Sequence, residues 1–125
     1  MIKIAMVGLG GAMGAICRYL IYEGYLAIVK SPWLPFGTIT VNLLGCFAIG
    51  LLGGIAETRN VFSPEMRALV FIGFLGGFTT FSTFGFELFF FIRNGQAGMA
   101  ALNAAIQLFI GLLGVWAGFS LAKLV

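Results

Sequence analysis

Long apolar runs, separated by short polar or proline-containing stretches, dominate the pattern of the chain. Each run approaches or exceeds about 20 residues, the length that an α-helix needs to cross a bilayer. We predict four membrane-spanning helices at about residues 4–22, 36–56, 66–92 and 97–122. The stretches between the runs are too short for a further domain. Residues 1–125 are therefore expected to form one four-span domain of an all-α membrane protein.

Local signals predict where these spans begin and end. The stretch 30–35 holds two prolines and Trp33, which predicts a loop at the membrane interface. Ser63 is placed as the N-cap of the third span, with Pro64 at its first helical position. The stretch 93–95 combines an arginine with a glycine, which is typical of a helix end.

Each predicted span carries one pair of glycines with G-x-x-x-G spacing. Such pairs leave a flat stripe on a helix and let two backbones approach closely in lipid. A bundle of four short spans has little interior of its own, so dimerisation is the natural way to enclose a site. The pairs are Gly10–Gly14, Gly50–Gly54, Gly73–Gly77 and Gly114–Gly118.

The composition supports a lipid-facing surface and excludes several functions. Of the 125 residues 61% are hydrophobic and 9% are charged, and the mean hydropathy is +1.09. An average soluble domain carries about 25% charged residues. The net charge of +3 comes from scattered residues, whereas a nucleic-acid partner would need a basic stripe. With no histidine and four acidic residues, a hydrolytic or metal-dependent active site is hard to assemble.

The Lys and Arg residues at the span ends give almost no preferred orientation. With four spans, the termini and the second loop share one side, which carries four of them, and the other side carries three. So weak a bias is what a protein inserted in both orientations would show, and chance also produces it. The two sides are Lys3, Arg59, Arg67 and Lys123 against Arg18, Lys30 and Arg93.

A Gly-Gly pair followed by Thr-Thr, at residues 76–80, interrupts the third span. Glycine costs roughly 1 kcal/mol relative to alanine in a helix interior, which predicts a break there. Backbone freed in the bilayer core is tolerated where it is buried or lines a polar cavity. Two interpretations stay open: the carbonyls of Gly76 and Thr79 bind a cation, or the segment is a packing kink whose Thr hydroxyls bond back to the preceding turn.

Phe81 and Phe84 follow the predicted break and share one helix face because they are three residues apart. An aromatic ring has a positive edge, so two ring edges at a narrow pore would stabilise a bare anion. Ser82 and Thr83 add hydroxyl donors beside them. The alternative is that both rings are ordinary core residues.

Polar residues inside the other spans are further candidates. Asn42 lies mid-span, where its amide would donate to an anion or to a neighbouring helix. Asn103 and Gln107 are four apart on the fourth span and either line the same passage or join two helices. Arg18 would draw anions into a vestibule or reach to the interface. Glu87 lies on the side of Phe84, and we assign it no ionic role.

Three segments resemble the Fluc (CrcB-type) family of fluoride channels. The most specific is GGFTTFSTF at residues 76–84. GGAMGAICRY at 10–19 and FGTITVNLLG at 36–45 also resemble family segments. Length, span number and motif order agree, so the resemblance covers essentially the whole chain.

The resemblance implies an antiparallel, dual-topology homodimer with two pores in a bacterial inner (plasma) membrane. It implies a structural sodium ion held by the backbone carbonyls of Gly76 and Thr79. Asn103 and Gln107 stand where the family often has tyrosine and serine. The implied fluoride pore consists of Asn42, Phe81, Phe84, Ser82 and Thr83, with Asn103 and Gln107 in the last span.

The implied activity is passive export of cytoplasmic fluoride, which reduces its toxicity. The membrane potential, negative inside, drives an anion outwards without coupling. The alternative function is a proton-coupled small multidrug exporter, which needs an acidic residue within the membrane, typically in the first span. Here the first acidic residue is Glu23, at the edge of that span.

Overall fold

A computed structural model describes residues 1–29, 33–59 and 61–124, and every regular element among them is helical. Helix α3 occupies residues 64–78, and together with α4 it forms the third span, Pro64–Arg93. Four helical segments are long and apolar enough to cross a membrane. The other helices are α1 (Ile2–Ile28), α2 (Phe36–Arg59), α4 (Phe81–Arg93) and α5 (Ala97–Ala122).

The helices differ from the predicted spans mainly at the end of the first one. We expected it to end near residue 22, where polar and aromatic side chains cluster, but α1 continues to Ile28. The residues after Glu23 are mostly apolar and contain no proline, so nothing stops the helix there. Of the predicted loop at 30–35, residues 33–35 are non-helical, and residues 30–32 lie outside the described ones.

The predicted start and end signals of the third span are confirmed. The side chain of Ser63 accepts a hydrogen bond of 3.2 Å from the backbone N–H of Met66, and Pro64 occupies the first helical position. Gly95 follows the end of α4 with φ of 74°. A residue with a side chain would be strained at this φ, so glycine suits the turn.

The helices pack as two close pairs, α1 with α3 and α2 with α5. A Cβ atom added to Gly10 would lie 2.1 Å from the carbonyl oxygen of Leu69, and one at Gly50 would lie 2.2 Å from that of Val115. Contacts this close are possible only because these positions lack a side chain. The G-x-x-x-G spacing therefore indicated the packing stripes correctly.

The third span is broken within the predicted segment 76–80, at its threonines and not at its glycines. Gly76 and Gly77 remain helical, and the extended residues are Thr79 (φ −84°, ψ 161°) and Thr80 (φ −147°, ψ 111°). Before the break α3 packs on α1, and after it α4 packs on α5. Two π-helical stretches, Ala68–Leu75 and Ile106–Ile110, widen the turns of α3 and α5 near this level.

Most of the helix surface faces outwards. In the most apolar window of each span only 11% to 33% of the residues are buried inside the chain. The remaining apolar surface must face lipid or another protein chain, because its exposure to water would be unfavourable.

We expect Gly14→Ala to lower the free energy of unfolding by about 1–3 kcal/mol, because overpacking forces backbones apart. The new Cβ would lie 2.1 Å from the carbonyl oxygen of Phe74. Gly24→Ala is the matched control on the same helix, since its Cβ would meet nothing within 4 Å. The measurement is unfolding in detergent micelles, and equal effects of the two substitutions would contradict the packing described here.

Candidate functional site

A cavity of about 430 Å³ opens beside the break in the third span. Its wall is mostly apolar, and its polar groups come from the break itself and from two amide side chains. Asn42 is supplied by α2 and Gln107 by α5, while Phe81 and Phe84 are supplied by α4. The break segment contributes Gly76, Thr79 and Thr80.

The break redirects two backbone N–H groups away from the helix. The N–H of Thr80, which would bond Gly76 in a continuous helix, donates to Oδ1 of Asn42 at 2.9 Å. The N–H of Thr83, which would bond Thr79, donates to Oγ1 of Thr80 at 3.3 Å. The carbonyl oxygens of Gly76 and Thr79 are thereby released from their regular helical donors, at the edge of the cavity.

The geometry shows the predicted kink and leaves the carbonyls of Gly76 and Thr79 without their regular helical donors. Thr79 Oγ1 donates to the carbonyl oxygen of Leu75 at 2.8 Å, which is the predicted bond back to the preceding turn. This bond does not involve the carbonyls of Gly76 and Thr79. The kink and a pair of released carbonyls therefore occur together.

Asn42 holds the break from the second span. Its Nδ2 donates to the carbonyl oxygen of Thr80 at 3.1 Å, and its Oδ1 accepts from the N–H of the same residue. One side chain thus satisfies both backbone groups of a buried, extended residue. The predicted bond between Asn42 and a neighbouring helix is present.

Asn42, Gln107 and Asn103 form a row of amides between the second and fourth spans. Nδ2 of Asn42 donates to Oε1 of Gln107 at 2.5 Å, and Nε2 of Gln107 donates to Oδ1 of Asn103 at 2.8 Å. Asn103 is fully buried. Both amide hydrogens of Asn42 are engaged, whereas one amide hydrogen of Gln107 has no partner among the described residues.

The aromatic and hydroxyl candidates lie together at the start of α4. The rings of Phe81 and Phe84 have centroids 5.7 Å apart and planes 52° apart. Phe81 is 83% exposed, so it is not a core residue of a single chain. Ser82 is exposed, and Oγ1 of Thr83 accepts from Oγ1 of Thr80 at 2.8 Å.

A second polar cluster, which the sequence did not predict, surrounds Glu87. Thr38 donates its hydroxyl to Oε1 of Glu87, and Tyr22 donates to Oγ1 of Thr38 at 2.6 Å. Thr38 is fully buried between them. Glu87 inside an apolar run required a polar partner, but spacing along the chain does not identify a partner 49 residues away.

Two buried atoms of this region have no hydrogen-bond partner among the described residues: Oε2 of Glu87 and Nδ2 of Asn103. The Asn103 amide lies beside the Glu87 carboxyl, so the amide row ends at the second cluster. Arg18 lies one helical turn before Tyr22 and is half-buried. It lies outside the lining of the main cavity.

Comparison with known proteins gives a consistent result. Residues 5–119 match the family described as CrcB-like protein, Camphor Resistance (CrcB). A protein of Methylobacillus flagellatus, named Fluoride-specific ion channel FluC, is 41% identical over 125 residues, covering 99% of this chain and 97% of that protein. Proteins with the same name from Maridesulfovibrio salexigens and Geobacter sulfurreducens are 41% and 40% identical, each covering 98% of this chain and at least 97% of the relative.

We expect Asn42→Leu to lower the free energy of unfolding by about 1–3 kcal/mol, because it leaves both backbone groups of Thr80 without a partner. Asn94→Leu is the matched control, since Asn94 is exposed at the end of α4. The measurement is again unfolding in detergent. An Asn42→Leu protein as stable as the control would show that Asn42 does not hold the break.

Proposed function

The chain belongs to the CrcB-like family, and we propose that it is a fluoride-selective channel. It is a multi-pass membrane protein, and the relatives described above carry the name of an ion channel, not of an enzyme. The observation that carries the proposal is the cavity at the break, where neutral donors and aromatic rings meet in an otherwise apolar wall.

Fluoride is small and strongly hydrated, so a selective path must replace its water with closely placed donors. We propose that the path follows the cavity between Phe81, Phe84 and Asn42, with the ring edges facing the ion. It continues past hydroxyl and amide groups of α4 and α5. The residues assigned to this part are Ser82, Thr83, Asn103 and Gln107.

A narrow and mostly dry path excludes larger anions, because selectivity depends on pore width and on the donors that line it. Arg18 would attract anions towards one end of the path from a vestibule, since it lies outside the cavity itself. Its side chain is half-buried on α1, where it is less screened than a free surface charge.

Transport through this path would be passive. In a bacterial inner membrane the potential, negative inside, drives an anion out, which lowers cytoplasmic fluoride and its toxicity. A proton-coupled multidrug exporter is not favoured. The first acidic residue, Glu23, is exposed in the last turns of α1, and the carboxyl of Glu87 is bound by Thr38.

We propose that the active unit is an antiparallel homodimer with two pores. The supporting observations are the exposed ring of Phe81 beside the cavity and the large outward apolar surface of all four spans. The nearly equal charges at the two membrane faces agree with insertion in both orientations.

The break is also suited to a structural sodium ion. The carbonyl oxygens of Gly76 and Thr79, released from helical bonding, are the type of ligand that unwound transmembrane segments offer to Na⁺. A second copy would supply the further oxygen ligands that the ion needs. The ion would add a fixed positive charge that stabilises the broken segments, and it would take no part in a reaction.

We expect Phe81→Ile with Phe84→Ile to abolish fluoride release from proteoliposomes, because an aliphatic side chain has no polar edge to replace lost water. The measurement is fluoride efflux, followed with a fluoride electrode after a potassium ionophore balances the charge. Dimer content is checked by crosslinking, so that lost flux is not confused with lost assembly.

The matched control is Phe86→Ile with Phe90→Ile, a second ring pair on α4 with centroids 6.3 Å apart. We expect it to retain most of the flux. Undiminished efflux in the variant with both Phe81 and Phe84 replaced would show that the ring edges do not contribute to fluoride passage. A wild-type protein that releases no fluoride without a proton gradient would refute the channel itself.

We expect removal of sodium to destabilise the dimer. An ion present at 100 times its Kd stabilises the state that binds it by about 2.7 kcal/mol. The protein is purified throughout in N-methylglucamine or in potassium, and its thermal unfolding is compared with that in sodium. A midpoint that is the same in all three cations would count against the carbonyls of Gly76 and Thr79 as a sodium site.

A further inference from the structure

The row of three amides has a fixed direction, and a single backbone group sets it. The N–H of Thr80 can only donate, so the atom of Asn42 that faces it at 2.9 Å must be Oδ1. Nδ2 then points towards α5. Because Nδ2 can only donate, the atom of Gln107 that meets it at 2.5 Å must be Oε1.

The same reasoning carries the direction one residue further. Nε2 of Gln107 is left to donate, so it meets Oδ1 of Asn103 at 2.8 Å. The amide nitrogen of Asn103 is thereby turned away from the row, where it has no partner among the described residues. Asn103 is fully buried and has no other orientation that keeps the row intact.

The Gln107 oxygen is therefore the group that keeps the Asn42 amide in place. Asn42 has to present Oδ1 and one hydrogen of Nδ2 to Thr80 at the same time. Its second Nδ2 hydrogen faces a cavity whose wall is mostly apolar, and a buried donor without an acceptor is costly. Without Oε1 of Gln107 this hydrogen has no acceptor, and only the two bonds to Thr80 still orient the amide.

We infer that Gln107 is a positioning residue. It acts through Asn42 on the backbone of Thr80 and so helps to keep this residue in its extended conformation. Its consequence for conduction rests on the proposed fluoride channel, but its effect on Thr80 does not. The π-helical stretch Ile106–Ile110 includes Gln107, and an inserted turn of this kind changes the direction of side chains relative to a regular helix.

A positioning role and a direct role of Gln107 depend on different atoms. Holding Asn42 requires the acceptor Oε1, whereas donating to an anion requires the hydrogens of Nε2. Gln107→Met conserves the length of the side chain and removes both functions. Gln107→Glu keeps an oxygen that can accept from Asn42 but loses the amide donor to Asn103.

We expect Gln107→Met to speed hydrogen–deuterium exchange of the Thr80 amide by roughly two- to tenfold, the effect of losing one net hydrogen bond. Exchange is measured by solid-state NMR on protein in liposomes. Gln107→Glu should exchange at the wild-type rate. Gln96→Met is the matched control. It is the same substitution at an exposed residue just before α5, away from the row of amides.

Fluoride efflux from the same liposomes gives the second readout. Lower flux in Gln107→Met together with faster Thr80 exchange supports the inference. Lower flux with unchanged Thr80 exchange would overturn it and assign Gln107 to the anion directly. Faster exchange in Gln107→Glu would also overturn it, since the acceptor oxygen is retained there. A wild-type protein without fluoride efflux would refute the proposed function, yet the exchange results would still decide the role of Gln107.

Discussion

The interaction on which the structure depends is the pairing of one side chain, Asn42, with both backbone groups of Thr80. A chain that breaks a helix in the middle of a bilayer has no water to satisfy the groups that it frees. Here the N–H of Thr80 bonds to Asn42 and the N–H of Thr83 bonds to Thr80. The carbonyl oxygens of Gly76 and Thr79 lose the donors that they would have in a continuous helix.

The break also explains how four spans become one bundle. Glycine stripes hold α1 against α3 at backbone contact, and a second pair of stripes holds α2 against α5. The third span leaves α1 at the break and continues as α4 against α5. The extended residues Thr79 and Thr80 thus join the two close pairs, and they place the rings of α4 next to the amides of α2 and α5.

The sequence predicted the number of spans, the caps and the stripes because these depend on local pattern. Ser63, Pro64 and Gly95 act within one turn of their own position, and the G-x-x-x-G pairs need only a close neighbour of any identity. The break lies within the predicted segment 76–80. Propensity does not identify which of these residues become extended, because that depends on the hydrogen bonds between Asn42 and Thr80. The partners of Glu87 could not be predicted at all. Thr38 reaches it from α2, and Tyr22 reaches Thr38 from α1. Spacing along the chain does not record which polar residues of separate spans will meet.

Neutral donors around the cavity are consistent with conduction, because a permeating ion must leave its site as readily as it binds. A fixed charge in the apolar wall would cost several kcal/mol to bury and would hold or repel a bare anion too strongly. The charged groups are accordingly kept outside the cavity lining: Arg18 lies on α1 near Tyr22, and the carboxyl of Glu87 accepts from Thr38. Amides have a further property that charges lack, since each both donates and accepts. A row of them transmits orientation from one residue to the next, and so the backbone of Thr80 can be controlled from a helix that does not bond to it.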